Sequence, residues 1–347
     1  MHMNYNYNMR NFIFKFNLLL LTTTIFIFSA CTKNIPAQTR IYMGTVCTIN
    51  LFNDGTEKLY AEMFSKIQET EKLFSTTIQD SIINQVNENA GKKPVVVSSE
   101  FIDVLEKACY IANLTQGAFD PTIGPIVKLW NISNGGPVPS KENIEKLLPL
   151  VDYTAIKIDK SKNTVFLSRT DMALDLGGIA KGYIADQLAL IAKSAGIKSA
   201  LFDLGGNIYA LGEKLDKSFW NIGIKDPLNP NSTPALSILV KNTSVVTSGA
   251  YERFFEENGK RYHHILDTKT GYPVENDTLS VTIICESSML ADALSTSIYV
   301  LGFETGAQIL EKLNVEGILI TKDKKIFSTT TIKQTLMIRN QDYVLHE

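Results

Sequence analysis

The sequence is short of several features that would settle its function at once. Acidic residues are absent before Asp54, and the 347 residues include four histidines and four cysteines. No C-x-x-C pair exists. Beyond Cys31, the cysteines Cys47, Cys109 and Cys285 therefore read as buried small hydrophobes, with one disulfide in an oxidising compartment as the alternative. Neither sign of charge dominates, since 34 Lys plus Arg face 36 Asp plus Glu. No global field then advertises nucleic acid as a partner, and any phosphate chemistry has to be built locally. Walker and Rossmann fingerprints are missing, as is any solenoid-type repeat. What remains is a chain with 44% hydrophobic residues, long enough to bury a large core in one big domain or two small ones.

The acid-free N-terminus has its own pattern. Arg10 and Lys15 precede an apolar run over 16–28, about 13 residues, where roughly 20 are needed to cross a hydrocarbon core. This is the layout of a secretory signal peptide. Phe28-Ser29-Ala30-Cys31 ends it and resembles the lipobox of bacterial lipoproteins, whose cysteine is lipidated and becomes the new N-terminus. The alternative is an uncleaved anchor, and in both cases the globular part faces an extracytoplasmic space. The chain so read has a signal segment over 1–31, a tether over 32–40 and a single domain over 41–347.

Alternation predicts a first strand over 42–52. Leu59, Met63 and Ile67 recur every four residues on an otherwise charged segment, which predicts a helix over 56–73 with one apolar stripe. A second helix is predicted over 99–114, with Phe101, Val104, Leu105, Ala108, Ile111 and Ala112 on one face and Gly117 as its stop. The run over 117–125 crowds turn formers around Asp120 and predicts a surface loop that holds something, continued by Gly135-Gly136-Pro137. Short strands come next over 155–158 and 164–167, then a strand, a glycine turn and a helix from Ala173 to near Gly196. Further strands are expected over 200–204, 220–224, 236–240, 278–284 and 317–321, with helices over 288–301 and 304–313. Strands and helices mix without strict alternation, which argues for an α+β fold and against a doubly wound parallel sheet.

Three segments carry residues suited to chemistry. In the stretch over 175–182, Gly177 and Gly178 let a ligand approach the backbone, and a helix start offers free N–H groups and partial positive charge. Lys181 adds a full charge there. A phosphate site and a plain tight turn both fit this pattern, and Asp203-Leu204-Gly205-Gly206-Asn207 repeats the theme. In the helix over 288–301, Asp292 and Thr296 lie four apart on one face. A carboxylate and a hydroxyl so placed can share a hard cation such as magnesium, which keeps waters and substrate phosphates among its ligands and needs few from the protein. The plainer alternative is a first-turn acid favoured by the helix dipole. Lastly, His263 and His264 are adjacent, and on a strand they point to opposite faces, a poor chelate. One of them as a general base is the more natural functional reading, with a core or surface histidine as the alternative.

Taken in order, these segments resemble the ApbE family of FAD:protein FMN transferases. The similarity runs from Met43 to Leu301 and begins with Met43-Gly44-Thr45, then Phe74-Ser75 with Asp80-Ser81 and Asn87. It continues through Gly117-Ala118-Phe119-Asp120-Pro121 with Gly124-Pro125 and Leu129-Trp130, the segment over 175–183, and Gly205-Gly206-Asn207. Ser248-Gly249 with Tyr251, His264 with Asp267, Thr270-Gly271 and Pro273, and Asp292-Ala293-Leu294-Ser295-Thr296 complete it. The resemblance implies a T-fold-like architecture of mixed, largely antiparallel sheets with packed helices, in two closely packed lobes. It implies that Met43, Ala118, Phe119, Asp120, Asp175, Lys181, His264 and Ile265 line a pocket for FAD, the substrate. It also implies Mg2+ held by the backbone carbonyl of Gly178 with Asp292 and Thr296. The activity implied is Mg2+-dependent transfer of FMN from FAD to a threonine hydroxyl of acceptor flavoproteins through a phosphoester, with AMP released and His264 as the base.

Two positions depart from the family pattern. Thr77 stands where many relatives carry an aromatic residue able to stack on the nucleotide, which loosens adenine packing. Thr268 stands where proline is usual, which costs the turn one fixed φ. Two other functions fit the same motifs: an Mg2+-dependent FAD pyrophosphatase that uses water in place of threonine, and a non-catalytic FAD-binding lipoprotein that leaves Asp292, Thr296 and His264 idle. As partners the resemblance suggests subunits of membrane redox pumps and related flavoproteins, with membrane attachment through lipid on Cys31. Such pumps put the expected location at the periplasmic face of the inner membrane, with the outer membrane as the alternative.

Overall fold

In the computed structural model, which describes residues 35–346, the first described elements form a hairpin. The expected signal segment and its lipidation site Cys31 lie outside the described residues. Strands β1 (Gln38–Tyr42) and β2 (Thr45–Asn50) are joined by Met43-Gly44, whose φ values of 53° and 66° suit the tight turn that matches strand twist. Two expected boundaries are corrected here. The strand expected over 42–52 is the end of β1, a turn and β2, and residues 38–40 of the expected tether belong to β1. The physical reason is that β1 is an edge strand with mostly exposed side chains, so it shows no apolar alternation. Met43 holds its left-handed bend because its amide donates to the Glu71 carboxylate at 2.7 Å.

Seven more strands continue this sheet: β3 (Ser199–Leu204), β4 (Asn207–Gly212), β5 (Thr243–Gly249), β6 (Thr278–Cys285), β7 (Glu316–Thr321), β8 (Lys325–Ser328) and β9 (Val344–Leu345). Their order across the sheet is their order along the chain, and only β8 and β9 pair in parallel. Among the described residues, eight helices fill the insertions: α1 (Glu57–Phe74), α2 (Ile82–Glu88), α3 (Ser99–Leu114), α4 (Gly124–Trp130), α5 (Lys141–Leu147), α6 (Ala180–Ser194), α7 (Ser288–Leu301) and α8 (Phe303–Leu313).

The middle of the sheet is buried on both faces, and the sequence shows why. Val246, Ile283 and Leu319 join a core built with the helices, while their neighbours Val245, Ile284, Ile318 and Ile320 join a second core. That second core is closed by a three-stranded sheet of Trp220–Ile224, Leu236–Val240 and Leu336–Ile338. Alternate residues of a strand face opposite sides, so a doubly covered strand reads as an unbroken apolar run such as Ile318-Leu319-Ile320. Two cores on one sheet give the α+β, largely antiparallel fold that the sequence leads one to expect.

Where helices carry a clear stripe and a cap, they fall where predicted. Thr56 and Ser98 accept from the amides of Leu59 and Phe101, both at 3.2 Å, and start α1 and α3; each such cap contributes about 1 kcal/mol. Past Leu114 the amides of Gln116 and Gly117 return to Asn113 and Ala112, both residues having left-handed φ. Helices α2, α4 and α5, of seven residues each, were too short to show a period. The loop over 117–125 is not at the surface, since Ala118, Phe119, Asp120 and Thr122 are buried. Burial is tolerated because the loop's amides find partners: Thr122 donates to the Asp120 carboxylate, Ala118 and Phe119 to Thr115, and Gly124 to Ala173. The strand expected before the glycine turn is a single bridge from Ala173 to Ile123. The three described cysteines are free thiols, and burial pushes Cys47 up to about 11 and Cys109 up to about 12, so both stay protonated.

Candidate active site

Helices α6 and α7 meet near their N-terminal ends, and glycine makes the meeting possible. A Cβ on Gly182 would lie 2.2 Å from the Ser288 carbonyl oxygen, so any other residue there would push the helices apart. Asp186 locks the pair by accepting from the amides of Ser288 and Met289 at 2.7 and 3.1 Å and from the Ser287 hydroxyl at 3.0 Å. Desolvation raises the pKa of Asp186, and these bonds oppose the rise.

This contact brings together residues 110 positions apart. Asp292, 3% exposed, accepts from the Gly182 amide at 3.0 Å and from the Lys181 ammonium at 3.3 and 3.4 Å. Lys181 also reaches the Gly177 carbonyl at 3.4 Å. One turn beyond Asp292, the Thr296 hydroxyl lies 3.3 Å from the Ser248 hydroxyl on β5. A Cβ on Gly178 would sit 3.4 Å from the Thr296 oxygen and 3.2 Å from the Phe119 ring, so the glycine turn lies against both. Gly178, Lys181, Asp292 and Thr296 thus converge, with Phe119 as one wall.

The glycine turn is held from two sides. Asn87 on α2 pairs its side-chain amide with the backbone of Leu174, donating at 3.0 Å and accepting at 2.7 Å. Asp175 accepts from the Gly177 amide at 2.8 Å and donates its own amide to the Pro121 carbonyl at 2.8 Å. Asp120 turns inward: one carboxylate oxygen takes the amide and hydroxyl of Thr122 at 2.8 and 2.6 Å, the other the Tyr153 amide at 3.0 Å. Its pKa is raised by desolvation and lowered in part by these bonds. The carboxylate is therefore consumed in shaping the loop. Ala118 and Ile265 are buried nearby in the chain's own packing, and Met43 packs on the same core as Phe119 and Ile265.

The two histidines separate as strand geometry requires. His263 ends a short hairpin strand (Lys260–His263) and is buried, with Nε2 donating to the Val274 carbonyl at 3.0 Å and Nδ1 accepting the Ile265 amide at 3.3 Å. Both nitrogens are used, so His263 is structural. His264 is half-buried, and its amide and Nδ1–H both donate to the Arg253 carbonyl at 3.1 Å. That leaves the Nε2 lone pair free. Desolvation first, then the Arg253 charge, push its pKa down to about 3, with Lys181 contributing, so the ring is neutral near pH 7. Thr268, at the position where proline is usual, donates its hydroxyl to the Gly117 carbonyl, a tie that a proline could not make.

Some of this was invisible in the sequence. Glu71 and Asp186 carry no local pattern, and Asn87, Ser248 and Ser295 stand in motifs without a role. A groove of about 600 Å³ bordered by Asp186, Lys193, Tyr209 and Asn242 contains none of the expected site residues. It faces the far part of α6.

The profile of the ApbE family matches residues 43–319, most of the chain. The chain belongs to the ApbE family. It is 36% identical to the FAD:protein FMN transferase of Treponema pallidum (strain Nichols), covering 89% of this chain and 91% of that relative. It is also 36% identical to the FAD:protein FMN transferase of Klebsiella pneumoniae (strain 342), covering 85% and 92%. Among solved ApbE structures, the flavin transferase from Vibrio cholerae superposes with a TM-score of 0.78 at 29% identity, over 86% of this chain and 98% of that one. The ApbE protein of Thermotoga maritima gives 0.78 at 31%, with the same coverage. The matched span holds every expected pocket and cation-site residue, from Met43 to Thr296.

Proposed function

We propose that this ApbE chain transfers FMN from FAD to a threonine hydroxyl of acceptor flavoproteins, forming a phosphoester and releasing AMP. The observation that carries the reading is the junction of α6 and α7, where Lys181, Asp292, Thr296 and the Gly178 turn meet beside two helix N-termini. Helix starts and a lysine suit a pyrophosphate. Asp292, Thr296 and the Gly178 carbonyl form an all-oxygen donor set, which fits a hard cation such as Mg2+. Among the described residues no cluster of three His, Cys, Asp or Glu side chains offers a softer site. Bound there, Mg2+ would neutralise charge on the FAD pyrophosphate, an effect worth several kcal/mol.

The chain's own residues then account for the rest. Met43, Ala118, Phe119, Asp175 and Ile265 line the FAD pocket, and Asp120 acts through the shape of its loop. Lys181 neutralises charge on the phosphates. The acceptor oxygen bonds to the FMN phosphorus as the bond to the bridging oxygen breaks, and AMP departs with that oxygen. The hydroxyl proton goes to Nε2 of His264, neutral and oriented by Arg253. An anionic pyrophosphate beside the ring strengthens it as a base.

The N-terminal layout supports a lipid anchor at Cys31, with the globular part at the periplasmic face of the inner membrane or, alternatively, the outer membrane. Acceptors such as subunits of membrane redox pumps fit that location. No helix among the described residues is long and apolar enough to cross a membrane.

The test incubates the full chain in detergent with FAD, Mg2+ and a candidate acceptor, and looks for flavin fluorescence on the denatured acceptor band. The expected label disappears with chelator or when the acceptor threonine becomes alanine. Free FMN and AMP with an unlabelled acceptor would instead identify a pyrophosphatase, and intact bound FAD a carrier.

A further inference from the structure

The Ser248-Gly249 pair has no role in the transfer chemistry above, yet the Ser248 hydroxyl touches the proposed cation site. It lies 2.8 Å from the Ser295 hydroxyl and 3.3 Å from that of Thr296. Counting protons fixes the direction of these contacts. The Asp292 carbonyl has two lone pairs, and the helical amide four residues on takes one of them. Two hydroxyls compete for the other: Ser295 at 2.9 Å and Thr296 at 3.4 Å. The nearer one wins. Ser295 has then used its proton and accepts from Ser248, and Ser248, its proton also used, accepts from Thr296.

We propose that Ser248 is a positioning residue that draws the Thr296 proton into a relay, Thr296 to Ser248 to Ser295 to the Asp292 carbonyl, leaving the Thr296 lone pairs for the cation. This rests on the reading that Asp292, Thr296 and Gly178 hold Mg2+. Without the Ser248 oxygen the Thr296 hydroxyl would be free to rotate and to point its proton at the cation. The relay also joins two elements: Ser248 is set by the pairing of β5 with β6, opposite Val281, and Thr296 by α7. Partners that orient metal ligands in this way typically contribute a factor of about 10 to 100 in metal affinity.

The test titrates the full chain in detergent with Mn2+, a paramagnetic stand-in for Mg2+, without FAD, and follows free Mn2+ by electron paramagnetic resonance. Wild-type protein should bind Mn2+ in competition with Mg2+, and Asp292→Asn should lose that binding. Ser248→Ala should weaken it about 10-fold or more, and Ser248→Thr, which keeps the hydroxyl, should restore most of the affinity. Ser295→Ala, which breaks the relay one step further on and leaves the strand intact, should weaken it too. FAD binding in chelator should be the same in Ser248→Ala as in wild type, a readout that general collapse of the site would move. Wild-type Mn2+ affinity in Ser248→Ala, or parallel loss of FAD binding, overturns the relay while Asp292→Asn still upholds the cation site. Undiminished Mn2+ affinity in Asp292→Asn overturns both.

Discussion

The two sides of the candidate site are built differently. On one side α6 and α7 touch backbone to backbone at Gly182, and buried Asp292 is held by an amide and an ammonium. On the other, His264 follows a separate two-stranded hairpin and is oriented by one carbonyl, that of Arg253. A lone hairpin is marginal without a core behind it. Here Phe255 stacks on Tyr262 at 5.3 Å, Tyr262 meets Trp130 in a tilted pair at 5.5 Å, and the Trp130 indole donates to the Gly271 carbonyl at 2.7 Å. The side proposed to bind charge is thus held by the contact of two helices, while the side proposed to accept the proton depends on a small satellite core. That division suits a site proposed to admit first a nucleotide and then a protein chain.

The comparison breaks if the two sides prove inseparable. His264→Gln should lower kcat by about 100- to 10,000-fold while Mn2+ affinity holds; a matching loss of Mn2+ affinity would count against the division. The same residue should show in stability. Its pKa is held down, to about 3, in the folded chain and lies near 6.5 when unfolded. Between those values the unfolded state binds more protons, so stability rises with pH up to about 6.5 and is lost on acidification. His263, also lowered by burial, acts in the same direction. Urea unfolding across this window should therefore show a shallower pH slope in His264→Gln, and an unchanged slope would contradict the assignment.

Gly182→Ala probes the other side. Its added carbon meets a backbone oxygen, so it should cost about 1–3 kcal/mol in thermal or urea unfolding and weaken Mn2+ binding as well. Unaltered stability would mean the helix contact is looser than 2.2 Å implies. The smallest effect belongs to the seam between the sides. Thr268→Val removes the hydroxyl tie to Gly117 and should cost about 1 kcal/mol, read as a lower unfolding midpoint with slightly weaker FAD binding by fluorescence quenching.

What was legible in the sequence was local. Helices α3 and α7 fall where Ser98 and Ser287 and the apolar period put them, and Asp292 and Thr296 share a face because four residues make about one turn. The glycine turns stood out in the sequence as places where a ligand can approach the backbone, and in the fold Gly178 lies against Phe119 and Thr296 and Gly205 against Thr45. What was hidden depends on partners far apart in the chain. Asn87 and Leu174 are 87 residues apart, and Met43 and Glu71 are 28 apart. The loop over 117–125 looked like surface because its composition is that of turns; the inward carboxylate of Asp120 and ties from Thr115, Thr268 and Ala173 let it be buried. The edge strand β1 carries no apolar signal, since almost nothing covers it.

The strand order of the large sheet bears on when the site comes into being. Because the strands lie side by side in the order they are made, each new one can dock on the margin left by the last, and the sheet can lengthen as the chain emerges. The two halves of the candidate site do not emerge together: Gly182 precedes Asp292 by 110 residues. Until α7 docks, the chain has a lysine and a glycine turn but no Asp292 carboxylate for them to meet, so the candidate site is completed late and all at once.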